Sequence, residues 1–191
     1  MDIAKKDDKL LVIEILTAAF LNNKSVNYLI PQDGLKLFRI HQLMDYSFEM
    51  CMLFGKVFIS EDRKACALLL YPEMKKMTFK SMAIDLRLIL KGIGLWNVFR
   101  AMNRESRIKV KQLKERKAYL WFIGVDPKYQ KYGLGKRLLE EVIINCTSDK
   151  RPIFLETSTM ENLPWYKKFG FEVYDTLDLS YKLYFLRRPL Y

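Results

Sequence analysis

Apolar side chains return every three or four positions in several stretches of this sequence, as they do along one face of a helix. Two such stretches are Leu11–Phe20 and Leu37–Met52, and a third runs over Met82–Trp96. Gly92 and Gly94 fall inside the third stretch, so its helix is expected to kink or divide there. The pattern predicts helices over residues 10–21, 35–54, 82–96 and 134–146, and a short helix or turn over 160–169.

Strand-like segments are short and rich in β-branched and aromatic residues, and residues 118–125 give the clearest case. The polar turn at 61–64 indicates an antiparallel hairpin, whereas Pro31 and Gly34 favour a loop over 25–34. The predicted strands are 56–60, 65–71, 118–125, 153–157, 171–174 and 180–187. This order of elements predicts a mixed α/β (α+β) fold, with residues 1–191 in a single layered domain.

Composition limits the kinds of molecule that the protein is expected to bind. The formal net charge of +11 suits a nucleotide cofactor, a nucleic acid or an anionic membrane, and equally a solvated basic surface. Cys51, Cys66 and Cys146 are widely spaced and His41 is the only histidine, so neither a zinc site nor a disulfide framework is expected, and a reducing cytoplasm fits. Residues 10–21 are too short to span a bilayer, and no membrane partner is expected.

A basic stretch follows the third helical stripe, between residues 100 and 117. It could cover a substrate pocket or bind an acidic molecule. The favoured alternative is an amphipathic insertion, over about 79–117, that packs on the core and shows its charges to water. No helix-turn-helix, zinc-finger or ribonucleoprotein-type pattern is present, so no nucleic-acid partner is expected.

Residues 130–135 read Gln-Lys-Tyr-Gly-Leu-Gly and join the 118–125 strand to the 134–146 helix. The first N–H groups of a helix lack intrahelical partners and suit an anion, and glycine lets a ligand approach the backbone closely. Lys131 and Lys136 add positive charge. A lone Gly-x-Gly is, however, more often a tight turn with a small-residue contact, so the loop alone does not establish a phosphate site.

Three segments, taken in order, resemble the GNAT superfamily of acyl-CoA-dependent N-acetyltransferases. They are the strand end Ile123-Gly124-Val125-Asp126-Pro127, the loop Gln130-x-x-Gly133-x-Gly135, and a final signature of Leu155-Glu156-Thr157, Asn162-Leu163-Pro164-Trp165-Tyr166 and Phe169-Gly170-Phe171. The final signature, in about the last third of the chain, is similar to puromycin N-acetyltransferase-like members. The resemblance implies a GNAT-type mixed sheet, splayed between its central parallel strands, flanked by helices and carrying the insertion around 79–117.

The resemblance also implies a binding site for acetyl-CoA as cosubstrate, with no metal. Backbone groups of Ile123 and Val125 would hold the pantetheine amides, and Asn162 would lie near the pantetheine. From the residues alone, Asn162 is a helix cap. The pyrophosphate would lie against the loop residues Gln130, Lys131, Tyr132, Gly133, Leu134, Gly135 and Lys136.

Two catalytic residues are expected, Tyr166 from the same resemblance and Glu156 because its strand would flank the cleft. Tyr166 would donate a proton to the departing CoA thiolate; otherwise it is a core tyrosine beside Trp165 and Phe169. Glu156 would take the proton of the amine, directly or through water; otherwise it binds the amine or makes a structural hydrogen bond. The Val125 N–H is a candidate donor to the developing oxyanion.

Tyr119 and Trp121 share one face of their strand and either line the acceptor pocket or belong to the core.

The function expected from this resemblance is transfer of an acetyl group from acetyl-CoA to a primary amine of a small molecule. Two alternatives stay open: acetylation of protein N-termini or lysines, and acyl-CoA binding without turnover. The N-terminal half carries no motif, so the sequence predicts neither the acceptor nor whether the protein is a monomer or a homodimer.

Overall fold

A mixed sheet of seven strands runs through the computed structural model, which describes residues 1–190. The strands are β1 (Asp2–Ile3), β2 (Gly55–Ile59), β3 (Ala65–Leu70), β4 (Ala118–Val125), β5 (Ile153–Thr157), β6 (Glu172–Asp178) and β7 (Lys182–Arg188). They lie side by side in the order β1-β2-β3-β4-β5-β7-β6. Neighbours are antiparallel except β4 and β5, which are parallel.

Helices cover both faces of this sheet. They are α1 (Lys9–Ala19), α2 (Lys24–Leu29), α3 (Lys36–Phe54), α4 (Phe79–Leu88), α5 (Val98–Lys111), α6 (Leu134–Ser148) and α7 (Leu163–Lys168). One apolar cluster joins α1, α3 and α4 to the sheet, and a second joins α6 and α7 to its opposite face. Helix α5 spans from the first cluster, through Ala101, to a third cluster with the β6–β7 hairpin, through Ile108.

The helices and strands predicted from periodicity are confirmed, and β4 and β5 have the predicted bounds. The predicted loop over 25–34 is wrong in its first part, where α2 forms. Asn23 begins that helix, because its side-chain oxygen accepts hydrogen bonds from the N–H groups of Ser25 and Val26, at 3.0 and 3.1 Å. The sequence also failed to indicate β1 and the second half of β6.

The insertion between β3 and β4 is helical, as predicted, and it divides at the predicted place. A π-helical turn (Ile89–Ile93) follows α4, and a 3₁₀ turn (Leu95–Asn97) precedes α5. Most lysines and arginines of this segment point to water, as expected. Arg104 and Lys117 are exceptions, because both are buried.

The sheet opens between its two parallel strands. β4 and β5 pair only at Ala118↔Ile153 and Tyr119↔Phe154, and the remaining residues of both strands diverge. The splayed mixed sheet expected from the resemblance is therefore present. On its other side β4 stays paired with β3, with one register shift, because Leu68 pairs with Phe122 and Leu69 with Leu120. Trp121 is the extra residue of this bulge.

Within residues 1–190 no helix is long and apolar enough to cross a membrane. In the same part of the chain no group of histidine, cysteine and acidic side chains is arranged to hold a metal ion. All three cysteines are free and buried.

Candidate active site

The open edge of β4 directs backbone groups into the gap between the parallel strands. The Asp126 N–H donates to the Lys64 carbonyl at 2.8 Å, so the backbone groups of that residue face the β3 side. Successive residues of a strand point their N–H and C=O groups to alternate sides. The groups of Val125 and Ile123 therefore face away from β3 and into the gap, where β5 no longer pairs with them.

The bulge at Trp121 changes which side chains share a face of β4. Before it, Ala118 and Leu120 pack towards α6, and after it Ile123 and Val125 do so. Tyr119, Trp121 and Phe122 all pack on the opposite face, towards α1 and α3, and the rings of Trp121 and Phe122 stack at 5.9 Å. The predicted common face of Tyr119 and Trp121 is confirmed.

The loop after β4 is ordered by side chains at both of its ends. The Asp126 carboxylate accepts a hydrogen bond from the Lys128 N–H at 3.0 Å and begins a 3₁₀ turn (Pro127–Tyr129). Gln130 then turns its side-chain amide back and donates to the Val125 carbonyl at 3.3 Å. The predicted loop is thus tied to the end of the predicted pantetheine strand.

Gly133 precedes the first turn of α6 in a left-handed conformation, with φ of 78°. A Cβ at this position would meet no atom within 4 Å, so the space beside it is open. The first bond of the helix runs from the Arg137 N–H to the Gly133 carbonyl, at 3.1 Å. The N–H groups of Leu134, Gly135 and Lys136 come before that bond, which leaves them suited to an anion.

The charges and side chains around this helix start also fit an anionic group. Lys131 and Lys136 are exposed, and Lys131 has a φ of 71°. A Cβ on Gly135 would meet only the Val125 side chain, at 3.5 Å. The exposed Tyr132 belongs to the same loop. Glycines, free N–H groups and cations thus form a cradle of the kind that a pyrophosphate needs.

Tyr166 lies on α7 and packs with residues of α6, on the face of the sheet that these two helices cover. Its ring meets Trp165 and Phe171 edge to face, with centroids 4.8 and 5.5 Å apart. Burial alone raises the pKa of the Tyr166 hydroxyl above its ordinary value. Asn162 occupies the residue before α7 without making a cap hydrogen bond, so its exposed side chain is free for a ligand.

Glu156 projects from β5 on the other face of the sheet, between β4 and α5. Its carboxylate accepts hydrogen bonds from the Tyr119 hydroxyl and, at 2.8 Å, from the Gln112 side-chain amide. Burial raises the pKa of Glu156, and the two hydrogen bonds oppose that rise because they favour the charged form. Burial and the nearby Glu156 charge likewise raise the pKa of Tyr119.

Several polar residues near Glu156 were not singled out from the sequence. Arg104, of which 8% is exposed, donates to the Tyr181 hydroxyl at 3.0 Å and to the Ser25 hydroxyl at 2.6 Å. The sequence does carry a signal for the burial of Arg104, because Arg104 falls on one helical face with Ala101 and Ile108. Gln112 ends α5 and gave no signal at all.

Aromatic side chains lie beside these polar residues, on the same face of the sheet as Glu156. Tyr46 of α3 donates to the Asp85 carboxylate at 2.9 Å, and its ring meets Trp121 edge to face at 5.9 Å. The rings of Trp121 and Tyr119 are 6.4 Å apart. The structure thus brings Glu156, Tyr119 and Trp121 together on one face of the sheet. Tyr166 and the start of α6, which follows Gly133, pack on the other face.

Comparison with known proteins agrees with this geometry. Residues 96–173 match the family model described as an acetyltransferase (GNAT) domain. An uncharacterized N-acetyltransferase of Schizosaccharomyces pombe is 30% identical over 103 residues, which cover 46% of this chain and 42% of that protein. The chain thus spans less than half the length of this curated relative.

Solved structures match the whole length of the chain at low identity. A Corynebacterium glutamicum protein described as histone acetyltransferase HPA2 and related acetyltransferase has a TM-score of 0.71 at 15% identity, over 100% of this chain and 95% of that one. Arylalkylamine N-acetyltransferase 2 of Aedes aegypti has a TM-score of 0.63 at 17% identity, over 100% and 98%. Naa20 of Chaetomium thermophilum, solved with a bisubstrate analogue, has 0.51 at 14% identity, over 99% and 85%.

At these identities the solved structures show a shared fold and do not identify an acceptor. The finer likeness to puromycin N-acetyltransferase is not confirmed by any of these relatives. The family match covers the second half of the insertion, β4, the Gly133 loop, α6, β5 and α7. Residues 96–173 are thus similar to a GNAT acetyltransferase domain, and the chain shares the fold of the solved acetyltransferases.

Proposed function

We propose that this protein transfers an acetyl group from acetyl-CoA to a primary amine of a small-molecule acceptor. The observation that carries the proposal is the unpaired end of β4, which leads directly into the open start of α6 at Gly133. A strand edge with free amide groups suits the amides of pantetheine, and a helix start suits its pyrophosphate. Both parts of the cofactor would thus be held by adjacent pieces of one strand–turn–helix unit.

The residues present fit acetyl-CoA, which supplies an activated acetyl thioester when bound. Ile123 and Val125 would bind pantetheine through backbone groups, with Asn162 beside it. The pyrophosphate would lie on the loop from Gln130 to Lys136, that is on Gln130, Lys131, Tyr132, Gly133, Leu134, Gly135 and Lys136. The open space at Gly133, where a Cβ would meet no protein atom within 4 Å, is the structural support for this placement.

Glu156 is proposed as the base that takes the proton of the acceptor amine, directly or through water. A primary amine is mostly protonated at neutral pH, and its neutral form is the nucleophile. Burial raises the pKa of Glu156, which brings its proton affinity closer to the operating pH and makes the ionised carboxylate a better base. The Tyr119 hydroxyl and the Gln112 amide hold the carboxylate in place.

Tyr166 is proposed as the proton donor to the thiolate. Its raised pKa keeps the hydroxyl protonated over the physiological range, as a donor requires. The Val125 N–H points into the same gap and would donate a hydrogen bond to the oxygen of the acetyl group. Tyr166 approaches from the α7 side and Glu156 from the α5 side, which suits a reaction that takes place in the gap between them.

The face around Glu156 suits a cationic amine with an apolar body. Tyr46, Trp121 and Tyr119 offer aromatic rings, and the carboxylates of Asp85 and Glu156 attract positive charge. Such a surface supports a small-molecule acceptor. Relatives of the same fold include an arylalkylamine N-acetyltransferase and a ribosomal-protein-S18-alanine N-acetyltransferase, so peptide acceptors belong in the test.

We also propose a cytoplasmic location. The three cysteines are all free and buried, as in proteins of a reducing compartment.

Release of free thiol from acetyl-CoA, measured against a panel of amines and of peptides with free N-termini or lysines, tests the proposed function. We expect transfer to at least one small primary amine, confirmed by the mass of the acetylated product. Turnover with peptides alone would assign the protein acceptor instead. Saturable acetyl-CoA binding without any turnover would leave an acyl-CoA-binding protein.

A further inference from the structure

One face of α5, with the turn before it, is apolar and exposed. Trp96 is 97% exposed, Phe99 84%, Met102 63% and Val110 82%. At 100° per residue Phe99, Met102 and Val110 lie on one side of α5, opposite the buried Ala101 and Ile108 and together with the polar Asn103 and Ser106. Trp96 belongs to the 3₁₀ turn that leads into the helix. We call this set of four residues the α5 outer face. Monomeric soluble proteins seldom expose so many large apolar side chains together, which makes this face a candidate interaction surface.

The charges around the α5 outer face are nearly all positive. Glu105 is the one acidic residue between positions 95 and 114, a stretch that carries six lysines and arginines. Its carboxylate is already paired with the buried Arg104, at 2.6 Å. Lys109 and Lys114 are exposed and, within residues 1–190, make no ion pair. They line one shallow groove together with Met102, Val110, Ser106 and Glu105 itself.

We propose that the α5 outer face binds an anionic lipid surface, which would hold the protein peripherally on a membrane. An amphipathic helix with tryptophan and phenylalanine between lysines is the type that lies in the plane of the membrane interface. The apolar rings enter the boundary of the acyl chains while the lysines contact anionic headgroups. The net charge of +11 adds a general attraction to such a surface. This replaces, for this face, our expectation from the sequence that no membrane partner exists.

The same charges argue against a second copy of this chain as the occupant. A two-fold dimer would lay the α5 outer face against itself, which is the geometry of an isologous interface. Lys109 and Lys114 of one copy would then approach the like charges of the other, with Glu105 as the only acid of the helix to offset them. An anionic lipid surface meets the rings and the lysines at once.

Vesicle flotation tests this inference, with phosphatidylcholine vesicles compared with vesicles that also contain phosphatidylserine. We expect binding to the anionic vesicles only, loss of binding at high salt, and a blue shift of the Trp96 fluorescence. The double variant Trp96→Ser/Phe99→Ser should lower partitioning about tenfold or more, since it removes two large apolar side chains. Lys109→Gln and Lys114→Gln should each lower partitioning about fivefold.

Matched controls lie away from the α5 outer face. Ile144→Ser removes a side chain that is 66% exposed on α6, and Lys6→Gln removes an exposed lysine near the N-terminus. Both should bind like the wild type, and thermal melts should show all variants folded. The proposal is overturned if the wild type ignores anionic vesicles at low salt or if the double variant binds equally well. It is also overturned if the face instead drives dimerisation, seen by light scattering and lost in the double variant.

Discussion

Replacing Glu156 by glutamine tests the proposed base, and the structure supplies a matched variant in Gln112. Glu156→Gln keeps the size of the side chain and its ability to accept a hydrogen bond, but it removes the group that takes a proton. Gln112→Leu keeps the carboxylate and removes one of its two hydrogen-bond donors, the amide at 2.8 Å. The first change removes the base, and the second only retunes its pKa.

The magnitudes follow from these contacts. Loss of a general base lowers the rate about 10²- to 10⁴-fold. A hydrogen bond to a charged group contributes about 1.5 kcal/mol or more. Because the Gln112 amide favours the charged form of Glu156, its loss should raise the pKa of Glu156 further.

The assay is kcat/KM for acetyl transfer as a function of pH, with one amine throughout, so that the titration of the substrate is common to all variants. In Gln112→Leu the acid limb of the profile should move to higher pH, with the plateau unchanged. In Glu156→Gln the plateau should fall and the limb that belongs to the enzyme should vanish. A Glu156→Gln profile with wild-type plateau and limb would refute Glu156 as the base.

The same carboxyl group gives a prediction for stability. Burial raises its pKa in the folded state, so its contribution to stability is fully present below the ordinary glutamate pKa and is lost as the pH rises through the folded value. Above that value Glu156→Gln should be at least as stable as the wild type in urea unfolding. A less stable Glu156→Gln at neutral pH would mean that the ionised carboxylate holds the fold together, a structural role.

Tyr166→Phe should lower kcat about 10²-fold with little change in melting temperature, because the ring packing remains; an unchanged kcat would remove Tyr166 from the mechanism. Gly133→Val should destabilise the protein by about 1–3 kcal/mol, because φ at this position is 78°. Asparagine tolerates this conformation, so Gly133→Asn should fold and should bind acetyl-CoA more weakly by calorimetry. Wild-type affinity in Gly133→Asn would count against the loop as the pyrophosphate site. Arg151→Ala should cost about 1–3 kcal/mol in urea unfolding, because it leaves the buried Lys117 carbonyl without its hydrogen bond, whereas water can solvate the exposed Glu73 carboxylate; a cost near zero would contradict that role.

The sequence predicts most of the fold where local and global preferences agree. The 118–125 strand is rich in β-branched and aromatic residues and lies in the middle of the sheet, so propensity and burial point the same way. The second half of β6 has a single apolar residue, Leu177, and lies at the edge of the sheet, and β1 is only two residues long. β1 forms because it pairs with β2, which is distant in sequence, and β6 extends because β7 pairs with it along the whole hairpin. Neither kind of pairing leaves a pattern in the strand's own residues.

The candidate site, like the fold, has one part that the sequence predicts and another that it does not. The loop and the strand before it carry part of a local motif, so the proposed donor side could be predicted from the resemblance of a few short segments. The acceptor side joins Glu156 to Tyr119 and Gln112, which are 37 and 44 residues away in the chain. Its geometry also depends on the bulge at Trp121, which no sequence pattern indicated. Long-range contacts of this kind become visible only in the folded chain.

Hydrogen exchange tests whether the open edge of β4 and the start of α6 hold acetyl-CoA. Amide exchange should be measured by mass spectrometry with and without saturating acetyl-CoA, with the N–H groups of Ile123, Val125 and 131–136 as the reporters. We predict slower exchange in peptides that cover 122–137 and around Asn162, and no change in the β2–β3 hairpin. Saturable binding that leaves 122–137 unprotected would contradict the account.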